Sequence, residues 1–163
     1  MKRDMYLEIE RKFLVIGDDW KCNNSAVLFK QGYIQTSPCV VRVRIEGVKS
    51  YLTIKKQIEG ISRCEFEYPI PMDDALYLLN NLCKKPFISK HRYTVFYEGI
   101  QWVIDEFLDE NKGLIIAEVE LKIKDQSIIL PSWVGQEVSN DPRYYNSNLV
   151  QFPFSQWSLS EKS

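Results

Sequence analysis

The sequence predicts a mainly β protein of the α+β class, a largely antiparallel sheet carrying one amphipathic helix. Three observations point to it. Runs rich in Val, Ile, Tyr and Phe alternate apolar and polar residues with a period of two, short glycine turns separate several of them, and one segment, 71–86, switches to helical spacing.

The first strand is expected near 5–15, where Leu7, Ile9 and Phe13 share one face and Glu8, Glu10 and Lys12 the other. Strands near 28–36, 39–47 and 50–58 follow, the last two joined through Glu46, Gly47 and Val48. After the turn at Glu59 and Gly60 comes a fifth strand near 62–70. In the helical segment Asp73 can serve as the cap, Ala75, Leu76, Leu79, Leu82 and Cys83 recur at helical spacing, and Pro86 is the stop. Strands near 88–97 and 100–108 flank the turn Glu98-Gly99, and a last one is expected near 114–124. From Pro131 to Asn146 the pattern breaks, and short helical turns with aromatic plugging are expected. One domain over 1–155 and a poorly ordered tail over 156–163 complete the expectation.

Composition narrows the function. A chain of 163 residues, 45% hydrophobic, can bury a real core, and a formal net charge of −1 offers no global basic field for nucleic acid. Without an apolar leader or a bilayer-length apolar stretch, a soluble cytoplasmic protein with no membrane partner is expected. Cys22, Cys39, Cys64 and Cys83 are widely spaced and read as reduced thiols rather than a zinc site. His91 is the single histidine, with no nucleophile elbow beside it, so a Ser-His-Asp or Cys-His engine is not expected. The acceptor pattern at Asn23 to Ser25 has no consequence inside the cell.

The charged residues carry the chemistry. Glu8, Glu10 and Lys12 stand two apart, and Glu118, Glu120 and Lys122 repeat the strip; Glu65 and Glu67 form a third acidic pair. Arg42 and Arg44 share one strand face, Lys90 and Arg92 another, with Lys55 and Arg63 in neighbouring strands. Any one pair suits a half-exposed strand, and period two does not say which side of the sheet faces water. Segregation by sign argues for more than a solvated surface. Arginine forks suit phosphate oxygens, and grouped carboxylates suit magnesium or manganese.

Together, Glu8-x-Glu10-x-Lys12, Arg42 and Arg44, Tyr51 to Lys55, Glu65 and Glu67, Lys90 to Tyr93, Asp105, Ala117 to Leu121 and the segment Pro131 to Asn146 resemble the CYTH superfamily of triphosphate tunnel metalloenzymes, in its short bacterial single-domain form. The resemblance implies a closed eight-stranded antiparallel barrel with a few outer helices and an inward-facing charged tunnel. It also implies a Mg2+- or Mn2+-dependent hydrolase whose partner is a small-molecule triphosphate. Carried over by position, Arg42, Arg44, Lys55, Arg63, Lys90, Arg92 and Lys122 would bind substrate, and Glu8, Glu10, Glu118, Glu120 and Asp105 metal. Lys12, Glu10 and Glu120 would take part in catalysis, Lys12 first as a phosphate or water contact and second as a base. Val40 stands where thiamine triphosphate hydrolases carry a stacking aromatic, which favours inorganic tripolyphosphate; Tyr33, Tyr51 or Trp133 could supply stacking instead. A thiamine or nucleoside triphosphatase, a class IV type adenylate cyclase and a non-catalytic polyphosphate-binding module are the alternatives.

Overall fold

Antiparallel hairpins build the framework. The computed structural model describes residues 7–21 and 25–162, so the start of the first expected strand, Cys22 and the Asn23 acceptor lie outside the described residues. Its strands are β1 (Leu7–Val15), β2 (Val27–Gln35), β3 (Val40–Glu46), β4 (Lys49–Glu59), β5 (Ser62–Pro69), β6 (Ile88–Tyr97), β7 (Ile100–Phe107), β8 (Ile115–Glu120) and β9 (Val134–Glu137). The sheet runs β5-β4-β3-β2-β6-β7-β8-β1, and pairing of β1 with β5 closes these eight into a barrel. The hairpin between β6 and β7 is a two-residue turn in which Glu98 and Gly99 both take positive φ, 48° and 74°, matching the right-handed twist of the strands.

β9 falls where short helical turns were expected. β8 pairs along Glu10 to Leu14 of β1, β5 covers Leu7 to Ile9, and β9 takes Phe13 and Val15 at the opposite end of the strand. Four residues are too few for alternation to register, so only the unfilled edge of β1 explains this strand.

The helix α1 (Met72–Asn81) packs outside the barrel on β2, β3 and β4, burying Ala75, Leu79 and the nearby Cys83 against Val43. Its boundaries correct the expectation. Pro71 holds the N-cap position with no side-chain cap, and Asp73 lies in the first turn, where its charge complements the helix dipole. The helix stops at Asn81, short of Pro86, and Leu76 and Leu82 face solvent. A second helix, α2 (Asn146–Gln151), and short 3-10 turns at Pro142–Tyr144 and Phe154–Gln156 form the C-terminal part.

The apolar cores lie around the barrel rather than in its middle. Trp20, Trp102 and Trp133 cover the outer faces of β1, β7 and β8, and α1 covers β3. At one end, Tyr33, Ile88, Phe107 and Ile116 pack against Val138, Tyr144, Leu149, Val150 and Trp157, so the C-terminal segment plugs that end as the aromatic cluster suggested. The expected loose tail is corrected here: Trp157 is buried and stacks edge-on to Tyr144 at 5.1 Å. Among the described residues no helix is long and apolar enough to cross a membrane. Cys39, Cys64 and Cys83 are free thiols.

Candidate active site

Alternation puts Glu8, Glu10 and Lys12 on the inner face of β1, and the register carries that face around the sheet. Glu8 stands opposite Arg63, Lys12 opposite Glu118, and Lys55 opposite Glu65. Closure turns these rows into the wall of a cavity of about 330 Å³. Lys12, Arg42, Arg44, Lys55, Lys56, Arg63, Lys90 and Arg92 line it, against the carboxylates Glu8, Glu10, Glu65, Glu67 and Glu118. A chain of net charge −1 thus concentrates a positive excess in one enclosed space.

On the wall formed by β3, β4 and β5, Arg42 Nη2 donates to Thr53 Oγ1 at 3.1 Å and to Glu67 at 3.3 Å. Arg44 Nη2 donates to the same carboxylate at 3.1 Å. The Nε atoms of both arginines are buried without a hydrogen-bond partner among the described residues. A buried unsatisfied donor costs about 1–3 kcal/mol, which an anion in the cavity would recover. Across the barrel Asp105 accepts from Lys90 Nζ at 2.5 Å and from Arg92 Nε and Nη2 at 2.7 Å each. Lys12 bonds both Glu10 and Glu118, and Lys55 reaches Glu8 at 2.8 Å and Glu65 at 2.6 Å.

Burial pulls the Lys12 ammonium down, but the Glu10 and Glu118 carboxylates outweigh it and hold its pKa above the ordinary lysine value. For Glu118 burial pushes up, and Lys12, Arg92 and Lys90 more than reverse it, so the carboxyl lies well below the usual range. Lys90 is pushed down to about 8, chiefly by burial, with Asp105 opposing and Arg92 adding to the shift. Glu120 moves up, through burial and the nearby Glu8 and Glu10 carboxylates.

Glu120 faces Glu10 directly across the ladder, and with Glu8 nearby the three carboxylates lie close together. Hard oxygen donors of this kind fit magnesium or manganese. Among the described residues no three such side chains stand in ready-made ligand geometry; Lys12 and Lys55 pair with Glu10, Glu118 and Glu8 instead.

Three of the residues singled out by sequence do not line the cavity. β8 ends at Glu120, so Lys122 falls in the following loop, exposed, with its N–H bonded to Gln126 Oε1 at 2.8 Å; it does not line the cavity. Asp105, expected as a metal ligand, is fully buried with both oxygens taken by Lys90 and Arg92, and positions those cations. Glu120 stands beside the cavity, more exposed than Glu10. Tyr145, Asn146, Ser147 and Asn148 also line the cavity, and Lys90 Nζ reaches Asn146 Oδ1 at 3.5 Å. Periodicity could not find them, because Tyr145 precedes and the other three open a helix of only six residues; the resemblance over 131–146 was a signal for Tyr145 and Asn146 alone.

The sequence matches the family model of the CYTH domain over residues 6–147. It is 50% identical over 148 residues to an inorganic triphosphatase of Acetivibrio thermocellus, covering 90% of this chain and 95% of that protein. Over 149 residues it is 34% identical to an inorganic triphosphatase of Nitrosomonas europaea, covering 88% and 96%. The crystal structure of an inorganic triphosphatase superimposes with a TM-score of 0.63 at 31% identity, over 88% of this chain and 93% of that one.

Proposed function

The chain belongs to the CYTH domain family, and on that premise we propose that it is a divalent-metal-dependent triphosphatase converting inorganic tripolyphosphate to pyrophosphate and phosphate. The observation that carries the reading is the enclosed cation excess in which Arg42 and Arg44 keep buried Nε donors without partners. Arg42, Arg44, Lys55, Arg63, Lys90 and Arg92 bind the phosphate oxygens, with Asp105 holding Lys90 and Arg92 in place. Lys12, bonded to Glu10 and Glu118 at the cavity wall, donates to a phosphoryl oxygen or to water. Water attacks the terminal phosphorus in line with the leaving pyrophosphate, and positioned cations stabilise the charge that develops.

Glu8, Glu10, Glu118 and Glu120 would hold Mg2+ or Mn2+, which neutralises phosphate charge and makes bound water more acidic. Because an anion site needs cations alone, this carboxylate set favours chemistry over simple binding. Val40 lines the cavity where a stacking aromatic would stand, which favours an inorganic substrate. Phe29 lies against Arg44 and Arg92, at 5.5 and 4.8 Å, Tyr51 against Arg44 at 5.3 Å, and Tyr145 against Arg63 at 4.9 Å. Trp133 is buried against Trp102 in an outer core.

Phosphate release is to be measured from tripolyphosphate, thiamine triphosphate, ATP and pyrophosphate, with Mg2+ or Mn2+. The expected result is preferential turnover of tripolyphosphate, abolished by chelation and lowered about tenfold or more in kcat by Glu120→Gln. Turnover that survives complete metal removal would sink the metal role, and absence of turnover on every substrate would sink the hydrolase.

A further inference from the structure

Arg63 is held differently from the other arginines of the cavity. Carboxylates brace Arg42 and Arg44, at 3.3 and 3.1 Å from Glu67, and Arg92, at 2.7 Å from Asp105. Among the described residues Arg63 makes no ion pair; its guanidinium lies 4.9 Å from the centre of the Tyr145 ring. That ring is itself anchored. The Tyr145 hydroxyl donates to the Ser139 carbonyl oxygen at 3.1 Å, and Ser139 Oγ accepts the backbone N–H of Lys12 at 2.9 Å. Tyr145 follows the 3-10 turn Pro142–Tyr144, so its backbone is set by the plugged end of the barrel.

We propose that Tyr145 is a positioning residue whose ring presets Arg63 for the triphosphate. The inference rests on the triphosphate reading. A long side chain loses rotamer freedom when it meets an anion, and a ring against the guanidinium removes part of that loss beforehand. A ring packed against the guanidinium accepts no conventional hydrogen bond from it, which leaves its N–H donors to bind phosphate oxygens. A carboxylate brace would instead occupy those donors, as Glu67 does for Arg42 and Arg44.

The test compares wild type, Tyr145→Phe, Tyr145→Leu, Arg63→Ala and the Tyr145→Leu/Arg63→Ala double variant, by calorimetric binding of tripolyphosphate and by steady-state hydrolysis. Tyr145→Leu is expected to raise both Kd and KM about threefold to tenfold while kcat stays within about twofold. Tyr145→Phe, which keeps the ring, should change Kd less than about twofold, and Tyr145→Leu should add less than about twofold to Arg63→Ala. An equal loss from Tyr145→Leu with and without Arg63, or a loss confined to ATP, overturns the proposal. Phenylalanine failing as badly as leucine also overturns it, since the ring would then not be what matters. Wild type that binds tripolyphosphate without turnover sinks the hydrolase reading but leaves the Kd comparison to judge Tyr145; wild type that does not bind overturns both.

Discussion

Glu118 concentrates the electrostatics of the cavity in one side chain. It bonds Lys12, with which it is buried, and approaches Arg92 at 3.3 Å, so its ionised form is strongly favoured in the folded state. Its folded pKa lies below the ordinary value of 4.5, and its contribution to stability is therefore complete above that pH and lost as pH falls below it. Denaturant titrations should show the wild type losing stability below pH 4.5 more steeply than Glu118→Gln. At pH 7 the same substitution leaves Lys12 with one fewer buried partner and should cost about 3–5 kcal/mol. Equal slopes in acid would show that Glu118 is not the coupled group. Lys12 was legible as a charged residue on the face of Glu8 and Glu10 from its place in Glu-x-Glu-x-Lys, but the sign of its shift was not, since it depends on which carboxylates close around it.

At the scale of elements, α1 and β2 meet at Gly32. A Cβ there would approach Cys83 Cβ to 2.8 Å and Leu79 Cδ2 to 2.9 Å, both on the buried face of the helix segment. Gly32→Val should push α1 outward and lower unfolding free energy by about 1–3 kcal/mol, measured by chemical denaturation. Because α1 packs outside the barrel, KM for tripolyphosphate should change far less than stability; a large KM change would show that the helix supports the cavity directly. The strands were legible within a residue or two because they alternate over seven or more residues, as β3 and β4 do. β8 was read too long because Lys122 continues its charge pattern after the pairing has ended. β9 is held by contacts remote in sequence, including Arg11, which grips Glu137 at 2.9 and 2.6 Å.

The whole molecule is organised around a charged interior with apolar layers outside it and a plug at one end. Trp157 closes that plug, in contact with Tyr144 and Phe154 and with its Nε1 donating to the Phe152 carbonyl at 3.1 Å. Trp157→Ala should lower global stability by about 3–5 kcal/mol in a single cooperative transition. A change limited to local fraying would mean that the end segment is dispensable to the barrel. The sequence by itself determined the β class, most strand positions, the sorting of charged and apolar residues onto opposite strand faces, and the family resemblance that went with them. Only the tertiary structure decided that Lys122 drops out, that Asp105 serves Lys90 and Arg92, and that Tyr145 reaches Arg63. Alternation specifies which residues share a face. Which face becomes the interior, and what lies across it, depends on pairing β1 with β5 and on the return of the C-terminal segment, both contacts between residues far apart in the chain.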